Sequence, residues 1–228
     1  HTNILGTYNV LAACKEYKTK KIIIMSTSEV YGTPDSIPIT ENHALKGQSP
    51  YSASKIAAEK LAESFNKSYD MPIIIARAFN TYGPRQSNRA IIPTIITQAL
   101  TGNEISAGNL EPTRDFNYVS DIIDGLIKLA ESANTIGEVV NIGSGKEISI
   151  GDLIKKIFIL IKKECKIIND GKKFRPLKSE VMRLCADNSK IRNIVNWEPK
   201  ISLEDGLEKT INWIKENLNL YKRHSNYL

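Results

Sequence analysis

Four polar clusters in this chain each stand where groups can move protons or bind anions. The first, Ser26-Thr27-Ser28-Glu29-Val30-Tyr31-Gly32, follows an apolar run. Its hydroxyls can hold a substrate hydroxyl, and its carboxylate can remove a proton. The second is Ser49-Pro50-Tyr51-Ser52-Ala53-Ser54-Lys55. Tyr51 and Lys55 are four residues apart and share one face of a helix; an ammonium beside a phenol favours the phenolate, a base. The third, Asn80-Thr81-Tyr82-Gly83-Pro84-Arg85, offers amide, backbone and guanidinium donors suited to a phosphate or a sugar. The fourth, Thr113-Arg114-Asp115-Phe116-Asn117-Tyr118-Val119-Ser120-Asp121, contains Arg114, able to grip a phosphate as a fork or to pair with Asp115. Ser120 reads as the N-cap of the helix that follows. Singly, each cluster has an ordinary structural explanation, since Ser, Thr and Glu after a strand commonly make a turn or a cap.

Apolar periodicity supplies the elements that must position these groups. The continuous runs Lys21-Ile22-Ile23-Ile24-Met25 and Pro72-Ile73-Ile74-Ile75-Ala76 predict strands covered on both faces. Helical spacing over 3–17 and 50–69 completes half of a doubly wound sheet, which places the first and third clusters just past strand ends, where open α/β sheets bind ligands. Beyond Pro93, helices are expected over 94–101, 121–131, 149–163 and 203–217, with brief strands near Ile105, 139–142 and 166–168. The fold reading is therefore α/β, a doubly wound parallel sheet, Rossmann-like and N-terminally truncated, with a smaller C-terminal substrate lobe. Residues 1–93, with a return segment over about 118–143, form the sheet half; 94–117 and 144–228 form the substrate-binding lobe. Gly143-Ser144-Gly145 follows a strand but lacks the third glycine of a dinucleotide turn and reads as a simple turn.

Composition narrows the class. With 228 residues, 41% hydrophobic and 25% charged, the chain is neither collagenous, disordered nor disulfide-stapled. No apolar run approaches the ~18–20 residues that span a bilayer, and a soluble cytoplasmic protein without membrane contact is expected. Lys+Arg 31 against Asp+Glu 25 gives +6. The basic residues gather at Lys18, Lys20 and Lys21 and again at Lys155, Lys156, Lys162, Lys163, Lys166, Lys172, Lys173 and Arg175. No nucleic-acid motif or interleaved aromatic accompanies them, so they read as solvated faces that attract anionic substrates, not as a nucleic-acid surface. Cys14, Cys165 and Cys185 form no CxxC and read as reduced thiols; His1, His43 and His224 have no metal-ligand spacing, and no metal site is expected.

Taken together, in order and spacing, the four clusters resemble the extended short-chain dehydrogenase/reductases, the NAD-dependent epimerase/dehydratase family, and within it the nucleotide-sugar 4,6-dehydratases. The stretch 79–97 with Gly108-Asn109-Leu110-Glu111-Pro112-Thr113-Arg114-Asp115 is most similar to UDP-N-acetylglucosamine 4,6-dehydratases of bacterial legionaminic-acid-type pathways. Arg175-Pro176, Ser179-Glu180-Val181-Met182-Arg183 and Trp197-Glu198-Pro199 extend the likeness to about Asn217. The resemblance implies a 4-keto-6-deoxy product formed through transient C4 oxidation by NAD. It implies catalytic roles for Thr27, Ser28, Glu29, Tyr51 and Lys55, and NAD contacts from Ser26, Tyr51, Lys55 and Ala78. Asn80, Arg89, Arg114, Asn141 and Arg183 would bind the nucleotide sugar, and the helices over 3–17 and 50–69 would pair in a homodimer.

Two departures matter. Ser28 stands where the dTDP-glucose branch has Asp. The Thr-Ser-Glu form is similar to GDP-mannose dehydratases and UDP-glucuronate decarboxylases, although the decarboxylases lack the Ser-Pro-Tyr-Ser-Ala-Ser-Lys form. The family's Gly-rich dinucleotide turn is not found in these residues, so the 228-residue chain alone is expected to hold NAD poorly and to be inactive. A 4-epimerase, which usually carries a small residue at the position of Glu29, and a UDP-glucuronate decarboxylase are the rival enzymes. A non-catalytic binding protein is the rival of another class.

Overall fold

A computed structural model describes every residue except Lys172, Lys173, Arg175 and 223–228. Those three basic residues, and the first half of the Arg175-Pro176 motif, therefore lie outside the described residues. Strands β1 (Ile22–Thr27), β2 (Ile73–Ala78) and β7 (Val139–Ile142) form a parallel sheet in the order β1-β2-β7. Every residue of β2 is buried, as its apolar run requires of a central strand. Alternation then sorts its side chains. Ile73 and Ile75 meet Leu11 of α1 (Leu5–Glu16) and Ala62 of α2 (Pro50–Tyr69). Ala76 and Ala78 meet Ile122 and Leu129 of α4 (Val119–Glu131), with Trp197 beneath. Helices thus cover both faces of a parallel sheet, the doubly wound α/β arrangement.

Local chemistry sets the helix that carries Tyr51 and Lys55. The Ser49 hydroxyl accepts the Ser52 N–H at 3.0 Å, the Ser52 hydroxyl accepts the Ser49 N–H at 3.0 Å, and Pro50 occupies the first turn. This reciprocal cap satisfies orphan donors and starts α2 at one residue. Asp70, left-handed at φ 51°, ends it.

A second core gathers Ile92 and Ile96 of α3 (Ile91–Thr101), Leu153 and Ile157 of α5 (Ile150–Ile161), and Leu207 and Ile211 of α7 (Leu203–Glu216). These helices pack around β4 (Glu104–Ala107), which pairs in parallel with β9 (Lys166–Asn169). Two smaller sheets present the remaining polar clusters. β3 (Asn80–Tyr82) lies parallel to β6 (Phe116–Tyr118), and β5 (Thr113–Arg114) sits between β8 (Ile148–Ser149) and β10 (Arg183–Leu184).

Several boundaries differ from the sequence expectation. α4 begins at Val119 with Tyr118 as its N-cap, so Ser120 lies inside the first turn and is not the cap. α3 begins ahead of Pro93, whose missing N–H is harmless where no intrahelical partner exists. Two short helices, α6 (Ser189–Val195) and α8 (Leu218–Lys222), were not anticipated, because so few residues show too little of a helical period to be read. All three cysteines are free, Cys165 and Cys185 buried.

Candidate active site

At the carboxyl end of β1 the chain turns through a 3-10 turn over Ser28–Tyr31. The Thr27 hydroxyl caps that turn by accepting the Glu29 N–H at 3.3 Å, so the structural role that such residues commonly play is present alongside any chemical one. Ser28 is buried beneath it and Glu29 half-buried. Ser26, one residue earlier, is buried with its Oγ lacking a hydrogen-bond partner, an unusual state for an interior hydroxyl. Ala78, paired with Thr27 across the sheet, closes the end of β2.

Lys55 reaches this edge from α2: its Nζ donates to the Met25 carbonyl at 2.6 Å. Burial pushes the Lys55 pKa down, and the negative charge of Glu59, one turn further along α2, opposes it. Tyr51 lies one turn ahead of Lys55, its ring about half exposed and not committed to the core. The structure therefore brings Ser26, Thr27, Lys55 and Ala78 to one edge of the sheet, with Tyr51 one helical turn before Lys55 on α2.

Beyond the turn, on the Glu29 side, opens a cavity of about 540 Å³, within the range of small-molecule sites; Ser26, Thr27, Ser28, Tyr51, Lys55 and Ala78 are not among its lining residues. Glu29, Asn80, Arg89 and Arg114 line it, so four of the residues singled out from sequence share one space. Arg114 is nearly buried; its Nη1 donates to the carbonyl of Thr113 at 2.8 Å, and its Nη2 lies 3.6 Å from Glu180. The buried Oδ1 of Asn80 has no hydrogen-bond partner, and Arg89 stands exposed at the rim.

Arg114 does not pair with Asp115. Successive strand residues point to opposite faces, and Asp115 turns inward to accept N–H groups from Ser144, Gly145 and Ala186 at 2.9–3.1 Å and the Ser144 hydroxyl at 2.6 Å. Burial pushes this carboxyl's pKa up, while those donors pull the other way. The Gly143-Ser144-Gly145 turn is thus held by a buried acid.

One expectation needs correction. Asn141 is wholly buried in β7, and its amide is spent within the protein: Oδ1 accepts the Tyr31 hydroxyl at 2.6 Å, and Nδ2 donates to the Ile39 carbonyl at 2.9 Å. With the side chain at 0% exposure, a substrate in the cavity does not reach it. Arg183 is engaged by Glu147, which also accepts the Thr113 hydroxyl, and its side chain is 55% exposed and away from the cavity lining. Glu180, in contrast, lines the cavity without having been assigned a role; its place in the Ser179–Arg183 motif was the available signal. Among the described residues no His, Cys, Asp and Glu cluster has the makings of a metal site, and no helix is long and apolar enough to cross a membrane.

A parallel sheet whose carboxyl edge carries hydroxyls and a carboxylate, flanked by a helix with Tyr and Lys four residues apart, defines the short-chain dehydrogenase/reductase class. Comparison with known proteins makes the assignment narrower. The family described as GDP-mannose 4,6 dehydratase matches residues 1–210, and the chain belongs to that family of NAD-dependent nucleotide-sugar dehydratases and epimerases. It is 34% identical to a putative UDP-glucose 4-epimerase of Methanocaldococcus jannaschii, over 94% of this chain and 70% of the relative. It is 36% identical to a UDP-glucuronate 4-epimerase of Thermodesulfobacterium geofontis, over 97% of this chain and 67% of the relative. The crystal structure of dTDP-glucose 4,6-dehydratase from Bacillus anthracis in complex with NAD superposes with a TM-score of 0.88 at 31% identity, covering 97% of this chain and 70% of that one.

Proposed function

We propose that this chain carries the active site of a nucleotide-sugar 4,6-dehydratase acting in the cytoplasm on an NDP-hexose, with UDP-N-acetylglucosamine as the favoured substrate. The observation that carries this reading is Glu29 lining one cavity with Asn80 and Arg114. A carboxylate there is what elimination needs and what a simple 4-epimerase can do without. The choice of sugar rests on the likeness of 79–97 and 108–115 noted above.

The partnerless buried Oγ of Ser26, the neighbouring Lys55 ammonium and the small Ala78 side chain suit the nicotinamide end of a dinucleotide. Ser26, Tyr51, Lys55 and Ala78 would hold NAD, which when bound supplies a hydride acceptor and donor for the sugar. Tyr51, assisted by Lys55, takes the proton from the C4 hydroxyl, and Thr27 hydrogen-bonds the C4 oxygen. Once C4 is a ketone the C5 proton is acidic; Glu29 removes it and, with Ser28 in place of a second acid, returns a proton to the departing C6 hydroxyl. Asn80, Arg89 and Arg114 grip the diphosphate. Residues 1–93 with 118–143 serve the cofactor, and 94–117 with 144–228 the substrate. A homodimer would cover the exposed Leu5, Tyr8 and Val10 of α1 and Tyr69 of α2.

The 228 residues contain no Gly-rich turn for a pyrophosphate, so activity is measured on the natural polypeptide that carries them. With UDP-N-acetylglucosamine in deuterium oxide, the expected product is a 4-keto-6-deoxy sugar labelled at C5. Glu29→Gln is expected to bind substrate normally and still oxidise C4, but to lose elimination by about 10²–10⁴-fold. A 4-epimer as sole product, or turnover only of UDP-glucuronate with loss of carbon dioxide, would refute the dehydratase reading.

A further inference from the structure

Beneath the candidate site lies a set of charged and polar side chains that touches none of the proposed ligands. Arg77 stands in an otherwise apolar strand, in register with Ser26 on β1 and with Asn141 on β7. Alternation places all three on the α2 side of the sheet. There the guanidinium meets Glu59, one helical turn beyond Lys55: Nε donates to Oε1 at 3.0 Å and Nη2 to Oε2 at 2.7 Å. Its Nη1 donates to the Tyr31 hydroxyl at 2.9 Å, and that hydroxyl donates to Asn141 Oδ1. Glu59, Tyr31 and Asn141 are wholly buried and Arg77 is 3% exposed. The same network reaches the loop after the 3-10 turn, since Arg77 Nη1 donates to the Glu41 carbonyl at 3.2 Å and the Asn141 N–H to Glu41 Oε1 at 2.8 Å.

We infer that Glu59, Arg77, Tyr31 and Asn141 form the positioning unit of this site, holding the turn that carries Glu29 at a fixed separation from the face of α2 that carries Tyr51 and Lys55. Tyr31 is two residues from Glu29, and Glu59 four from Lys55. Both carboxylate oxygens, all three guanidinium nitrogens, the hydroxyl and both amide atoms of the set are already engaged. With all four side chains out of reach of solvent, the unit meets no ligand and acts through its neighbours.

Stability alone does not account for it, because a buried ion pair commonly gives no more stability than well-packed apolar residues of the same volume. A fully satisfied polar network does, however, tie its members to one geometry. The reaction proposed above, on which this inference rests for its kinetic arm, moves protons at two adjacent sugar carbons to groups on different elements. Such chemistry tolerates displacements well under 1 Å.

The test uses Tyr31→Phe, which keeps the ring, and Glu59→Gln. In the natural polypeptide, Tyr31→Phe should lower kcat by roughly 10–100-fold with KM for the nucleotide sugar little changed, since Tyr31 is not among the residues that line the cavity. A second readout needs no turnover. With lysines carrying ¹³C-methyl labels and Lys55 assigned by its loss in Lys55→Arg, Glu59→Gln should titrate at lower pH at Lys55 than wild type. Unchanged kcat in Tyr31→Phe, a rise in KM that accounts for the whole loss, or identical Lys55 titration in wild type and Glu59→Gln would each overturn the inference. Should the wild-type protein turn over no nucleotide sugar, the functional reading fails, and an unchanged Lys55 titration in Glu59→Gln would still overturn the coupling of Glu59 to Lys55.

Discussion

Replacing Arg77 by Met leaves the Glu59 carboxylate buried and unpaired, and the structure allows the cost to be judged. The side chains of Glu59 and Arg77 are 0% and 4% exposed, and their closest N–O distance is 2.7 Å. Neither charge has water to fall back on, so removing one partner should cost ~3–5 kcal/mol. Against a total stability of ~5–15 kcal/mol for a globular protein, that is a third or more. Glu59→Leu should cost a similar amount by stranding the guanidinium. The double variant, Arg77→Met with Glu59→Leu, strands neither charge and should lie within ~1–2 kcal/mol of wild type. Urea unfolding followed by circular dichroism measures all four proteins, with the m-value as a check that the same surface is exposed. The double variant also separates two roles. If the network only stabilises, the double variant regains turnover along with stability; if it positions, the protein refolds to near-native stability and stays slow. Either single variant unfolding within about 1 kcal/mol of wild type, or a double variant losing the sum of the two, would refute the reasoning.

Three other outcomes are expected. Arg114→Ala should weaken binding of UDP by roughly 10–100-fold in calorimetry, the equivalent of ~1.5–3 kcal/mol for lost charge-assisted hydrogen bonds, without unfolding the protein. Hydrogen bonding from Arg183 holds the Glu147 carboxyl below its ordinary value of 4.5, so the stability it contributes is present above pH 4.5 and lost as pH falls through the lowered value. The stability gap between wild type and Glu147→Gln should therefore shrink on acidification below that pH, and a gap that widens would contradict the ion pair. Gly206→Ala gains the helical preference of alanine but drives a methyl group into the Tyr82 hydroxyl and to 2.9 Å from the Tyr118 ring. Overpacking of ~1–3 kcal/mol should outweigh a propensity gain of ~1 kcal/mol and lower the melting temperature.

Strand and helix placement was legible because it depends on local pattern. Runs of isoleucine bounded by turn residues mark β1 and β2; the central β2 is covered on both faces as expected, whereas β1, at the edge of the sheet, leaves Ile23 and Ile24 half-buried and Met25 exposed. Pro50 marks the start of α2 in the sequence, and the structure adds the reciprocal Ser49–Ser52 cap. The chemistry-bearing clusters were legible for the same reason, as residue types at fixed offsets from strand ends.

What the sequence by itself determined is thus the long helices and main strands, the order of the motifs and the family they belong to. The tertiary structure alone decided what each polar group faces. Asn141 looked available to a substrate until the fold placed Tyr31, 110 residues away, against its amide. Arg77 breaks an apolar strand, a sign that a partner is required, but only the packing of α2 on the sheet names Glu59. Arg183 and Glu147 meet 36 residues apart, while Arg114 turns from its neighbour Asp115 toward Glu180. Periodicity dictates which face of its own element a side chain occupies; the partner on the other side of that face comes from a distant segment, brought there by burial of apolar surface that carries no information about which charge will be waiting.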